Sequence, residues 1–284
     1  MTMPIDLVLV RHGQSEQNKA LKAVRSGNQS LITHGFLHTP DSQFRLSALG
    51  REQAQITGRW LQEKGLGFFD RRYVSDYARA KETAALLDLE GPNWYVEPTL
   101  REREWGVLDS LSWEEREEKM IVESRKKETD PFYSVPPNGE SIAQMTVRLR
   151  GLLDTLHREC SDKRVIVVCH GEVMWGMRFM LERMSTTKWI QLERSQEPGV
   201  RIYNCQVLHY TRRNPETGSS RLTLIGCAQS ALNSQRIVVL GGSKSRARRF
   251  RMKNSCCKLK NLHICLSKFI IMVTRKSYFF IYNA

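Results

Sequence analysis

The stretch Asp6–Asn18, DLVLVRHGQSEQN, drives four apolar residues, Leu7 to Val10, straight into Arg11, His12 and Gly13. A short Leu/Val run without polar alternation is the pattern of a strand covered on both faces. In open α/β sheets the carboxyl end of such a strand is where ligands bind. Each residue placed there has a use against a phosphate. A guanidinium offers paired donors, a glycine lets backbone N–H groups approach closely, and an imidazole can attack or carry a proton.

A second stretch repeats the first. Lys163–Gly171, KRVIVVCHG, also ends a buried strand in His-Gly, and EVMWGMRFML continues from it as a helix. Sheet geometry can bring His12 and His170 to one edge. A lone histidine after a strand is more often structural, but two at matching strand ends point to function. His34-Gly35 is the control: it lies in a Gly/Asn/Ser-rich stretch and reads as a loop histidine.

Between these strands, Ser47 is placed to cap a helix that carries Ala54, Thr57, Trp60 and Leu61 at helical spacing and stops near Gly65. RRYVSD reads as a strand, ARAKETAALLDL as a helix and NWYVEP as a short strand leading into TLREREWG. SLSWEEREEKMIVESRKK (110–127) reads as a solvated helix. Ser141 caps a helix running to about Cys160, after the Pro/Gly loop DPFYSVPPNGES. VRIYNCQVLHYTRR and RLTLIGCA, separated by NPETGS, form a β-hairpin. Alternating strands and helices predict a three-layer α/β/α domain around a mostly parallel sheet.

Composition narrows the function. The formal charge is +14, but residues 236–284 hold 12 of the 44 Lys and Arg and none of the 30 Asp and Glu, so 32 basic residues face 30 acidic ones elsewhere. A basic, nucleic-acid-binding body is therefore not expected. The organisation expected is a domain over 1–234 and a basic, disordered tail over 235–284, which the composition favours over an anchor for nucleic acid or anionic lipid. No stretch approaches the ~18 apolar residues of a membrane span. The N-terminus lacks a basic, cleavable leader, and the seven cysteines lack CxxC spacing. A soluble, cytoplasmic protein is the expectation.

RHGQSEQN, LSALGREQA, SDYARAKETA, LREREWG, PPNGES and VVCHG, in this order from about Asp6 to about Ala228, resemble the histidine phosphatase superfamily, with its phosphoglycerate-mutase-like fold. The resemblance implies that His12 is the nucleophile that becomes phosphohistidine. It implies that Arg11, Arg79 and a protonated His170 hold the phosphoryl oxygens, and that Glu102, four residues before Gly106, is the proton donor. Only that spacing separates Glu102 from Glu104. Gly13, Asn18 and Gly171 complete the substrate-binding set, and no metal or other cofactor is implied. The expected partner is a small phosphorylated substrate.

Three departures stand out. Residues 19–45 form a basic insertion, with Lys19, Lys22, Arg25, His34 and Arg45, suited to a substrate lid. Glu172 puts an acid directly after His170-Gly171, pointing away from a phosphate or tuning His170. VLDSLSWEERE after Gly106 does not resemble the mutases. The reading that follows is a metal-independent phosphomonoesterase. Its alternatives are mutase-type phosphoryl transfer and a non-catalytic phosphate-binding protein.

Overall fold

In β1 (Asp6–Arg11), Leu7 and Leu9 face one apolar cluster while Val8 and Val10 face another, and all four are buried. This is the physical meaning of an unbroken apolar run: side chains alternate across the sheet, and helices cover both faces. Each such fully buried Leu or Val contributes about 1.5–3 kcal/mol relative to exposure. The structure, a computed structural model, describes residues 1–107, 121–122, 125–126, 128–195, 197 and 200–213, and the strand backbones 220–230, 238–240, 271–274 and 277–280.

The chain divides into two compact units, Met1–Lys244 and Ser245–Ala284. In the first, helices α1 (Glu16–Arg25), α2 (His34–Leu37), α3 (Ala48–Glu63), α4 (Ala78–Leu86), α5 (Ile142–Glu159), α6 (Gly171–Leu181) and α7 (Thr186–Glu193) surround one sheet. Its strands are β1, β2 (Arg71–Val74), β3 (Tyr95–Val96), β4 (Arg164–Cys169), β5 (Gln206–Arg213), β6 (Ser220–Ser230) and β7 (Val238–Leu240), in the order β3-β2-β4-β1-β5-β6-β7. The first four run parallel, and β5, β6 and β7 are added antiparallel. Leu149, Leu152 and Leu156 of α5 and Val173, Met174 and Met177 of α6 cover one face, with Trp189 of α7 beside them. Leu61 of α3 and Ala80 and Ala84 of α4 cover the other. The three-layer α/β/α expectation is met.

Local signals explain the boundaries. Ser47 caps α3 through Gly50 N–H, and Gly65 follows it at φ +71°. Ser141 and Gln144 form a reciprocal capping box on α5. The hairpin β5–β6 pairs as expected, although its turn, 214–219, lies outside the described residues. So does most of the helix expected over 110–127. His34, read as a loop residue, instead opens the one-turn α2, capped by Thr33. The basic segment from Arg236 does not begin at a unit boundary, because β7 pairs with β6. In the second unit the described residues form a hairpin, β8 (Ile271–Thr274) with β9 (Ser277–Phe280). Among the described residues, no helix is long and apolar enough to cross a membrane.

Candidate active site

Parallel register builds the floor of the site. Arg11 of β1 lies opposite Cys169 of β4, so the next residues along, His12 and His170, leave the sheet side by side. His12 N–H still donates to the Cys169 carbonyl at 2.9 Å, and the two rings meet edge to face at 5.1 Å between centroids. On the other side of β4, β2 ends at Val74, and the turn after it with the first turn of α4 delivers Ser75, Tyr77 and Arg79 to the same edge. His170 also forms the N-cap of α6, whose opening turn has no side-chain cap, a position that favours an anion.

A hydrogen bond fixes the His12 tautomer. His12 Nδ1 lies 2.7 Å from the Gly13 carbonyl, which can only accept, so the proton sits on Nδ1 and the lone pair on Nε2. Ser75 Oγ accepts the Tyr77 N–H at 3.4 Å and lies 2.8 Å from His170 Nε2. A hydroxyl can donate or accept here, so this contact holds the His170 ring without choosing its tautomer, and His170 Nδ1 is buried without a partner. The Nε groups of Arg11 and Arg79 are likewise buried and unpartnered. Two guanidinium donors close enough to His12 to act on its charge are thus left without an acceptor, an arrangement suited to a phosphoryl group. Among the described residues no three His, Cys, Asp or Glu side chains gather so as to hold a metal ion.

Burial, followed by the nearby Arg79 and Arg11 charges, pushes the His12 pKa well below 6.5, and the same causes, with His12 added, depress His170. Both shifts favour the neutral imidazole, so the protonated His170 expected from the sequence is not favoured. Glu102 moves the opposite way. Burial, then repulsion from Glu172, raises its carboxyl from 4.5 to about 7, against the pull of the Arg103 N–H, Arg79 and Arg11. Glu104 is exposed whereas Glu102 is partly buried, so the structure separates two carboxylates that spacing alone barely distinguished.

The remaining residues are brought near, but used differently from expectation. The Gly13 N–H is already taken by Thr83 Oγ1 at 3.0 Å. Its glycine is demanded by packing: an added Cβ would stand 2.4 Å from the Gly50 carbonyl oxygen. At Gly171 a Cβ would stand 3.4 Å from Arg11 Nε, so this glycine lets the guanidinium lie against the backbone. Asn18 Oδ1 accepts from Ser15 N–H at 3.2 Å and Asn204 Nδ2 at 3.1 Å, and Asn204 Nδ2 also reaches the His12 carbonyl at 3.2 Å. Asn204, Ser75 and Tyr77 went unnoticed in sequence. Only the position of Ser75 after a strand offered a signal.

Asp41, from the insertion, is the largest surprise. Arg79 Nη1 donates to its backbone oxygen at 2.5 Å and its Oδ1 at 3.2 Å, and Nη2 to its Oδ2 at 3.0 Å. The Arg79 guanidinium also lies 4.6 Å from the Tyr77 ring, which in turn stands 4.8 Å from His170. Asp41 therefore holds the far end of Arg79 and leaves its Nε edge open.

The model of the histidine phosphatase superfamily (branch 1) matches residues 7–213. The chain belongs to that superfamily. It is 32% identical over 194 residues to a 2,3-bisphosphoglycerate-dependent phosphoglycerate mutase of Methylorubrum populi, covering 66% of this chain and 84% of that one. Among solved structures it resembles a mycobacterial glucosyl-3-phosphoglycerate phosphatase at 22% identity and TM-score 0.53, over 77% of this chain and 94% of that one. It also resembles a phosphoserine phosphatase of Entamoeba histolytica at 21% identity and TM-score 0.54, with the same coverages of 77% and 94%. At these identities the solved structures establish the phosphoglycerate-mutase-like fold.

Proposed function

We propose that this superfamily member is a phosphomonoesterase working through a phosphohistidine at His12. The observation that carries the reading is the His12 imidazole with its proton fixed on Nδ1, set beside the buried Arg11 and Arg79 Nε donors that lack an acceptor. Nε2 attacks phosphorus while the ester P–O bond breaks. The departing alkoxide takes the proton of Glu102, whose pKa of about 7 keeps it available near neutrality. Arg11, Arg79 and His170 offset the charge spread over the phosphoryl oxygens. Ionised Glu102 then takes a proton from a water whose oxygen attacks phosphorus while the N–P bond breaks, releasing phosphate and restoring His12.

The identity to proteins named as mutases favours a second reading, in which the phosphoryl group returns to another substrate. Brief exposure to a phosphomonoester labelled in its phosphoryl group should leave acid-labile, base-stable label on His12. His12→Ala should take up none; label surviving in that variant overturns the assignment. Release of the label as inorganic phosphate supports the hydrolase, whereas its transfer to an added phosphoglycerate supports the mutase.

A further inference from the structure

The peptide between His12 and Gly13 is held on both edges. Its N–H donates to Thr83 Oγ1 at 3.0 Å, and its carbonyl accepts from Asn204 Nδ2 at 3.2 Å and from the Cys205 N–H at 3.3 Å. The same short segment before β5 also meets Arg11, whose Nη1 donates to the Ile202 carbonyl at 2.8 Å. Residues 202–205 thus brace both side chains that leave the end of β1, from 192 positions away in the case of Asn204 and His12.

Asn204 reaches a further group. Its Nδ2 lies 3.1 Å from Asn18 Oδ1, which also accepts the Ser15 N–H at 3.2 Å. Obligate partners decide how both amides are turned. A backbone N–H can only donate, so the Asn18 atom facing Ser15 is oxygen; a carbonyl can only accept, so the Asn204 atom facing His12 is nitrogen. With its oxygen held by two donors, Asn18 turns its Nδ2 away from them, and that NH2 has no hydrogen-bond partner among the described residues. The resemblance places Asn18 in the substrate-binding set, and an anion requires the NH2 of an amide rather than its oxygen. We infer that Asn204 is a positioning residue: fixed on the His12 carbonyl, it keeps Asn18 turned so that a donor, not an acceptor, meets the phosphoryl group. The inference rests on the phosphomonoesterase reading for its chemistry, but binding of orthophosphate tests it without turnover.

A double-mutant cycle on the full-length protein tests it, with orthophosphate as the probe and Kd read by calorimetry in the parent, Asn204→Asp, Asn18→Ala and the double variant. Asn204→Asp keeps the shape of the side chain but sets a carboxylate against the His12 carbonyl and Asn18 Oδ1. The repulsion is relieved when the Asn18 amide inverts and shows its oxygen to the anion. Asn204→Asp should therefore weaken phosphate binding about tenfold or more in the parent, yet less than about threefold once Asn18 is alanine. Equal losses in the two backgrounds overturn the inference, because the new charge or a general loss of packing would then act without Asn18. Asn204→Ala, uncharged and smaller, repeats the cycle should the aspartate variant not fold. It should cost about threefold in the parent and nothing measurable beside Asn18→Ala, and additive losses again overturn the inference. A parent protein that binds no orthophosphate overturns it outright. Failure of the hydrolase reading shows separately, as no phosphate release and no labelled His12 in the parent, while the cycle on orthophosphate still decides the role of Asn204.

Discussion

The site has a floor and a rim built on different physics. The floor is the paired strand ends of β1 and β4, where the backbone ladder itself continues into His12 through Cys169. The rim is made of Asp41 from the insertion, Glu102 from a loop and Glu172 from the first turn of α6, held by side-chain charge pairs or by burial. Register can place two imidazoles with little freedom, because moving either would break ladder bonds and expose apolar strand residues. Loop carboxylates can be exchanged at lower structural cost. The floor is therefore suited to bond making, and the rim to proton supply and substrate choice.

The sharpest way to break this comparison is to remove the floor's nucleophile. His12→Ala should reduce phosphate release by ~10³-fold or more, since no other group in the site is placed to attack. A rim substitution should cost less. Glu102→Gln should cost ~10²-fold with an alkyl phosphate and markedly less with an activated aryl ester, whose leaving group needs no proton. In the parent protein kcat/KM for the alkyl ester should fall as pH rises through about 7, as Glu102 loses its proton. A comparable loss with both esters would show that Glu102 acts by some route other than protonation.

Glu102 also links the rim to stability, with a definite sign. Its folded pKa is raised above the ordinary 4.5 to about 7, so the proton is held more tightly in the folded chain. The corresponding stability is fully present below about 4.5 and is lost as pH climbs to about 7, a change of roughly 3 kcal/mol. Glu102→Gln should remove that loss. Denaturant titrations at pH 5 and 8 should show the variant falling less between the two than the parent; equal falls would contradict a buried, proton-holding carboxyl.

The floor was legible in the sequence because periodicity and register are local rules. The apolar runs ending in His12 and His170 announced both strands and their shared edge, and Ser47 and Ser141 announced the helices behind them. The rim was legible only in part. Glu102 was singled out by spacing to Gly106 within a resemblance, and its distinction from Glu104 is burial, which spacing does not encode. Asp41 could not be found, since an acid in a loop of Gly, Ser and Pro gives no sign of the arginine it meets 38 positions later. Glu172 stands out as an anomaly, but its partner Arg103 and its repelling neighbour Glu102 lie on a loop far from it in sequence. Long-range ion pairs have no periodicity to read.

A smaller effect sharpens the role of the insertion. Asp41→Ala removes the anchor from the Arg79 guanidinium, and charge-assisted bonds of this kind are each worth about 1.5–3 kcal/mol. Partial reorientation should raise KM and weaken inhibition by orthophosphate ~10-fold, with kcat changed less than ~3-fold, and Asp41→Asn should fall between. Tighter binding in either variant would mean that the carboxylate competes with the substrate for Arg79. Glu104→Gln, exposed on the same rim, should change kcat/KM less than ~2-fold.

The smallest effect is expected where the chain leaves the site altogether. Residues 236–284 carry 12 Lys and Arg and no acid, yet Val238–Leu240 still pairs with Gly226–Ala228 at the sheet edge. Two endpoints therefore differ. A chain ending at Lys244 keeps every described strand of the first unit and should match the full chain in kcat/KM and Tm. One ending at Ser234 loses β7 and frees one edge of β6, which lies two strands from β1 in the sheet order. Its turnover should be unchanged, while about 1 kcal/mol of lost edge pairing would lower Tm by roughly 2–4 °C. Thermal melts and alkyl-phosphate turnover on the two chains give both readings. Loss of turnover at Lys244 would show that the basic segment belongs to the catalytic unit, and equal Tm at both endpoints would show that β7 contributes nothing to the sheet.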